Sequence, residues 1–411
     1  MKKHVIIIGG GAAGMIAAIS ARRQGAWVTI LERNPRVGKK LLATGNGRCN
    51  FTNVNADAES YSGSNPKFVY GALAAFSPEQ TIQFFEELGI QHKIEEYGKV
   101  FPMSDQASSI LDVLLHELQQ SGVRIICNAF VSSLVKKGEK FLIGTEDGKI
   151  YEGDRVILAA GGKAMPSSGS DGNGLKLAAD LGHRITGIFP ALVQLMLEGP
   201  YFKRIEGVKF KGRAEVIYNK KIIAQDKGEI LFTNYGISGP PILQISRKAG
   251  ELLSQYKEPI LKVVLMDEMS MDEVKELIIR RIEYAPSKTV EFSFVGLINK
   301  RLISVVLMEA GIDDLKRRVS DLSALEIEHI AKLLTDWRFK IRGTRSWPSA
   351  QITAGGIDTR EINPNTMESR LVKGLYIAGE IMDIDGMCGG YNLQWAWSSG
   401  YLAGLHAANQ T

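Results

Sequence analysis

The first 32 residues fix more about this chain than any other stretch. An apolar strand, His4-Val5-Ile6-Ile7-Ile8, runs into the turn Gly9-Gly10-Gly11-Ala12-Ala13-Gly14; a helix continues to about Gln24, and a second strand, Val28-Thr29-Ile30-Leu31, ends on Glu32. Strand, glycine turn, helix and strand in that order commit the segment to a parallel βαβ unit. Gly9 permits the tight turn, Gly11 lets the backbone approach a phosphate, and Gly14 lets helix and strand pack closely. The helix N-terminus at Ala12 and Ala13 offers unpaired N–H groups to an anion. Glu32 follows Gly14 by 18 residues, about where a carboxylate must stand to bind ribose hydroxyls. The unit therefore predicts a dinucleotide site. Arg33, next to Glu32, invites an NADP reading, which is void if the site holds FAD.

Lys2-Lys3 before an apolar run resembles a secretory signal, but three consecutive glycines interrupt that run, and its removal would delete the first strand. No stretch approaches the roughly 18 continuous apolar residues of a membrane span. Three cysteines, Cys49, Cys127 and Cys388, form no CxxC pair, so a reduced, cytoplasmic setting is expected and a dithiol relay is not. The six histidines show no metal spacing, so no metal is expected. A net charge of +5 suits an anionic cofactor but does not call for nucleic acid.

At 411 residues the chain exceeds what one core organises. Ser77-Pro78-Glu79-Gln80 opens a helix, another is expected from about Ser104 to Gln120, and 124–127, 130–135, 141–145 and 149–152 read as a small β-meander. Arg155 to Gly162 is a buried strand ending on glycines, as beside a ligand. From about Pro190 the strand-like runs 192–198, 207–218, 221–225 and 230–233 are punctuated by Asn219-Lys220 and Asp226-Lys227-Gly228. Capping boxes at Ser270-Glu273 and Ser323-Glu326 start helices. Glycine-rich character returns at 351–357 and 374–380. The reading is an α/β fold: a Rossmann-like, doubly wound dinucleotide-binding domain (1–190 plus 346–411), which the resemblance described next implies is FAD-binding, an inserted β-barrel-like domain (191–266 plus 323–345) and a small helical subdomain (267–322).

Assembled, these segments resemble two-dinucleotide-binding-type flavoproteins. The runs Gly45-Asn46-Gly47-Arg48-Cys49-Asn50, Phe232 to Pro240 and Gly389-Gly390-Tyr391-Asn392 resemble the bacterial NAD(P)/FAD-dependent oxidoreductase family that includes aminoacetone oxidase and a flavoprotein of bile-acid dehydroxylation. The resemblance runs from residue 1 to about 408. It implies FAD as cofactor, held by Gly9, Gly11, Ala12, Ala13, Gly14, Glu32, Arg33, Lys40, Gly45, Asn46, Gly47, Arg48, Asn50, Val131, Ala160, Gly161, Gly379, Glu380, Gly390, Tyr391, Asn392 and Leu393. Lys40, Arg48 and Asn50 can hydrogen-bond phosphates or the polar edge of a flavin ring. Lys39 reads as an ordinary surface lysine. Glu380 stands where related flavoproteins often have aspartate. Asn392 suits the N-cap of the last helix, whose positive end would stabilise charge on a reduced flavin. Trp395 and Trp397 read as packing residues, and Cys49 as a small buried group.

The function expected is hydride transfer between a small-molecule substrate and flavin N5. NAD(P)H as a transient electron donor and oxygen as acceptor both stay open, because only one complete dinucleotide unit is present. No general base stands out, and nothing fixes an oligomeric state. The alternative is an RNA-associated flavoprotein of tRNA modification, with Lys209, Lys211 and Arg213 on the inserted domain.

Overall fold

The structure, a computed structural model, describes residues 2–409. The chain divides into two compact units, one formed by the chain up to Phe189 together with the chain from Ala350 onward, the other by Pro190–Ser349.

The first unit is built on five parallel strands: β1 (His4–Ile8), β2 (Trp27–Leu31), β3 (Arg124–Ile126), β4 (Arg155–Leu158) and β5 (Leu375–Ile377), in the order β5-β4-β1-β2-β3. β1 is central and almost wholly buried, which its run of Val and Ile requires. Helix α1 (Ala12–Arg23) is buried from Ala13 to Ala21 and packs on the C-terminal helix α2 (Tyr391–Ala407). A Cβ at Gly400 would lie 2.4 Å from the Ala13 carbonyl oxygen, and one at Gly404 2.2 Å from that of Ala17. Only glycine there lets the two helices approach this closely.

Three sequence expectations are corrected. Arg124–Ile126 is no part of the meander; it pairs in parallel with Thr29–Leu31 as the edge strand β3, and the meander comprises only Val131–Lys137, Lys140–Thr145 and Ile150–Gly153. A short apolar run cannot announce its partner, and here the βαβ crossover through helix Ala107–Gln120 decided it. That helix begins at Ala107, not Ser104. Asp226-Lys227-Gly228 is not a turn: Lys221–Thr233 is one strand, in which Asp226 and Lys227 pair with Ala214 and Arg213. Gly228 pairs with Gly212 in unbroken register, and the ladder's one register shift comes later, between Val216 and Ile217.

The second unit contains a closed barrel in which Leu195–Leu197, Gly236–Ser238, Lys221–Thr233, Lys209–Tyr218, Ile260–Val264 and Trp337–Thr344 follow one another around the ring. Asn219 and Lys220, both at positive φ, make the tight hairpin turn between its two longest strands. Helices Pro240–Ser254, Met271–Tyr284, Lys300–Glu309 and Ala324–Thr335 belong to the same unit. The capping boxes at Ser77, Ser270 and Ser323 all form. Trp337 and Phe339, with ring centroids 4.9 Å apart, anchor the barrel core beside Phe232.

Candidate cofactor site

All five parallel strands end on one elongated cavity in the first unit. Its wall takes Gly9–Ala13 after β1, Glu32–Asn34 after β2, Ala129–Val131 beyond β3, Ala159–Gly161 after β4 and Ala378–Glu380 after β5. Neighbouring strands lie ~4.8 Å apart, so four spacings give the groove a reach on the order of 19 Å across the sheet. That length suits an extended dinucleotide.

Each glycine of the turn has a distinct environment. A Cβ on Gly14 would stand 1.9 Å from the Gly9 carbonyl oxygen, so Gly14 is there for helix-to-strand packing and does not line the cavity. A Cβ on Gly11 would meet nothing within 4 Å, although Gly11 is the N-cap of α1 and lines the cavity. The first intrahelical bond is donated by Met15 to Gly11 O, so the N–H groups before Met15 at this end have no partner within the helix. Open space, N–H groups without a partner in the helix and the positive end of a helix dipole together make this end chemically suited to an anion.

Glu32 is buried, and its carboxylate is fixed from three sides. Oε2 accepts from Gly10 N at 2.8 Å, while Oε1 accepts from Asn34 N at 2.7 Å and from Asn34 Nδ2 at 2.8 Å. Arg33 lies over the Phe130 ring at 4.5 Å and pairs with Asp171. On the β5 side, Lys40 Nζ meets Glu380 Oε2 at 2.6 Å, and Glu380 Oε1 accepts from Thr353 N at 3.0 Å. The first turn of α2 contributes Asn392 and Leu393. The N-cap of α2 is Gly390, not Asn392, whose side chain instead bonds Gly386 N and O at 2.9 and 2.8 Å. A left-handed glycine opens the helix two residues earlier than the side-chain signal implied.

The cavity wall thus brings together Gly9, Gly11, Ala12, Ala13, Glu32, Arg33, Lys40, Val131, Ala160, Gly161, Gly379, Glu380, Asn392 and Leu393. Gly14, Gly45, Asn46, Gly47, Arg48, Asn50, Gly390 and Tyr391 lie outside it. Arg48 lies over Phe101 at 4.0 Å and pairs with Glu95 and with Asp105, the latter at 2.6 Å. Arg48 holds the Glu95 carboxyl below its usual range, and Lys93 with Arg48 does the same for Asp105. Asn50 Oδ1 accepts from Val100 N, and a Cβ on Gly390 would meet Thr52 O at 2.3 Å. Arg48 and Asn50 thus fasten the 44–52 loop to residues 95–105, and Gly390 seats the start of α2 against it. Lys39 is exposed at the rim and Trp395 is buried in the wall, while Trp397 donates to Phe51 O within the core. Burial pushes the Cys49 thiol up to about 12, in keeping with an inert group.

The sequence reading missed Gly10, Asn34, Thr44, Phe130, Gln351 and the segment Ser168–Asp171. Ser168-Gly169-Ser170-Asp171-Gly172 carried a legible signal, a run of small polar residues following a glycine-terminated strand. Among the described residues no His, Cys, Asp or Glu group is arranged to hold a metal, and no helix is long and apolar enough to cross a membrane.

A family model described as HI0933-like protein Rossmann domain matches residues 3–406. The chain belongs to this family. It is 40% identical over 406 residues, 98% of either chain, to the 3-dehydro-bile acid delta(4,6)-reductase of Clostridium scindens. It is also 32% identical over 402 residues, 96% of either chain, to the ribosomal RNA dihydrouridine synthase of Escherichia coli. Among solved structures, a 3-ketosteroid-delta4-(5alpha)-dehydrogenase from Rhodococcus jostii matches 99% of this chain and 97% of its own, at 18% identity and a TM-score of 0.48. The protein is a flavin-dependent oxidoreductase of the HI0933-like family, with a Rossmann-type FAD-binding domain and a six-stranded barrel.

Proposed function

We propose that this protein is an FAD-dependent reductase acting on a carbon–carbon double bond conjugated to a carbonyl, in a small, largely apolar substrate of the steroid-acid class, with NAD(P)H as electron donor. The observation that carries the reading is 40% identity running from end to end of a bile-acid reductase, with 98% of both chains covered. When bound, the flavin would supply hydride from N5. The residues here serve position and charge. The α1 N-terminus at Gly11–Ala13 would hold the pyrophosphate, and Glu32 would accept from the adenosine ribose hydroxyls. At the other end, the first turn of α2 at Asn392 and Leu393 presents the positive end of a 17-residue helix, suited to negative charge gathering on the reduced cofactor. The Lys40–Glu380 pair faces the same cavity and keeps both charges compensated within it.

A second reading follows from the relatives named as ribosomal RNA dihydrouridine synthases, one 32% and another 30% identical over nearly the whole chain. The uracil 5,6 double bond is likewise conjugated to a carbonyl, so the same flavin chemistry would serve. Two of the three basic residues offered for RNA have acidic neighbours, however: Lys209 pairs with Glu229 at 3.0 Å, and Arg213 with Asp267 at 3.0 Å and Glu215 at 3.2 Å. Phosphate contacts need free cations.

The test is an anaerobic visible spectrum of the purified holoprotein, titrated with NADPH and NADH, then reoxidised with a 3-oxo-4,6-diene steroid acid or with ribosomal RNA. Bleaching by nicotinamide and recovery with the dienone supports the reading. Recovery with RNA alone transfers the assignment to the second. A flavin that no nicotinamide reduces, but that an aminoketone reduces and oxygen reoxidises, overturns both in favour of an amine-oxidase-like activity.

A further inference from the structure

Residues 163–171 form a loop whose ends are drawn together and whose tip is fastened over the Glu32 end of the cavity. Gly172 N donates to Gly162 O at 3.1 Å and closes the base. Thr353 Oγ1 accepts from Lys163 N at 2.7 Å and from Ala164 N at 2.9 Å, which anchors the root. The tip meets the two residues that follow Glu32. Asp171 pairs with Arg33, Gly169 O accepts from Arg33 Nη1 at 3.4 Å, and Ser168 O accepts from Asn34 Nδ2 at 2.9 Å. Ser168, Gly169, Ser170 and Asp171 all line the cavity.

The root and the tip differ in strength. The root is held by backbone bonds and a buried threonine, whereas the Arg33–Asp171 pair is more than a third exposed. Gly169 is seated at φ +102°, and a Cβ there would stand 2.5 Å from Asn34 Nδ2. The tip is thus fitted to Arg33 and Asn34 by shape, and its ion pair with Arg33 is one that solvent can compete for.

We infer that residues 163–171 are a strap that closes over the adenosine end of FAD, latched by Arg33–Asp171 and Asn34–Ser168, and that this latch sets how long the cofactor stays bound. The inference rests on FAD occupying this cavity. Asn34 couples the two sites directly, since its side-chain N–H groups serve both Glu32 and Ser168 O. A ligand ribose on Glu32 and a closed strap therefore favour the same Asn34 orientation.

The test is FAD release from diluted holoprotein, followed by the rise of free-flavin fluorescence, in the wild type and in Asp171→Asn and Gly169→Ala. Asp171→Asn keeps Oδ1 as an acceptor for Asn173 N but removes the charge. Release should accelerate about two- to fivefold, the range an exposed ion pair supports. Raising salt to about 0.5 M should speed wild-type release more than release from Asp171→Asn, because only the wild type has the Arg33–Asp171 pair to screen. Gly169→Ala should release faster still. FMN, which lacks the adenosine, should bind wild type and Asp171→Asn with equal Kd. Wild-type release rates in both variants, or an equal loss of FMN affinity, would overturn the latch while leaving FAD binding intact. Absence of FAD binding by the wild type would overturn the cofactor reading and the latch with it.

Discussion

Gly11→Ala and Gly14→Ala, three residues apart in one turn, should fail in opposite ways. At Gly11 the backbone is extended, with φ −81° and ψ −171°, and the added methyl meets no protein atom within 4 Å. Alanine is a poorer N-cap than glycine, but it removes unfolded-chain freedom worth about 0.4–1 kcal/mol, so the apoprotein should melt within about 1 kcal/mol of wild type. The methyl instead occupies the open space at this helix end. Displacing a pyrophosphate from one charge-assisted N–H bond costs about 1.5–3 kcal/mol, which is roughly a 10- to 100-fold rise in Kd for FAD. At Gly14 the methyl would be 1.9 Å from the Gly9 carbonyl oxygen and 3.1 Å from its carbon, a backbone clash that no side-chain rotation relieves. Overpacking of this kind costs about 1–3 kcal/mol or more, a fall of several degrees in the apoprotein Tm. The assay is FAD titration by fluorescence quenching beside thermal melts of both apoproteins, since bound FAD would itself raise Tm. Wild-type FAD affinity in Gly11→Ala would show that no phosphate sits at this helix end. A wild-type apo melt for Gly14→Ala would refute the close-packing argument.

Glu32→Gln keeps the shape of the side chain but replaces one acceptor oxygen with an NH2 group, which must face Gly10 N or Asn34 N. FAD affinity should fall at least about tenfold, from one lost charge-assisted bond and one donor facing a donor, as measured by calorimetric titration; an unchanged Kd would remove Glu32 from the ribose role. Cys49 should resist iodoacetamide at pH 8.5 in the native protein, read by peptide mapping, because its thiol is pushed up to about 12 and fully enclosed. The same shift has a stability sign. The folded state favours the neutral thiol, so this contribution is complete below about 9 and is lost as pH rises from there towards about 12, and Cys49→Ala should flatten that part of the alkaline unfolding curve.

What the sequence made legible was what is local. The βαβ unit closes within 32 residues, and its turn, helix and acid follow in one order, so neighbours in sequence are neighbours in space. The capping boxes were legible for the same reason, each complete within four residues. Arg48 was read as facing the ligand because it sits in a glycine loop, yet Glu95 and Asp105, 47 and 57 residues on, take its guanidinium. No local pattern records such a partner. The strap was passed over because small polar residues carry no periodicity, and its contacts to Arg33 and Asn34 span more than 130 residues. Asn392 had the right chemistry for a cap and was displaced by Gly390, whose left-handed conformation starts the helix without one.

The cavity depends on both ends of the chain, and this can be tested by cutting it. β4 is the last sheet strand before the inserted unit, and the chain returns to supply β5 and α2, so residues up to 189 hold the complete glycine turn and four of the five strand ends but lack the β5 and α2 side of the groove. They also leave α1 half-covered. Its buried face at Ala13, Ala17 and Ser20 is seated on Gly400, Tyr401 and Gly404, with Ser20 Oγ donating to Tyr401 O at 2.8 Å. Without α2, a helix that carries no charge between Ala12 and Ala21 would face water. Residues 1–189 expressed alone should therefore be insoluble or bind no FAD, despite an intact motif, and co-expression with residues 350–411 should recover soluble, yellow protein. FAD binding by the first fragment alone would show that the β5 loop and α2 are dispensable for holding the cofactor.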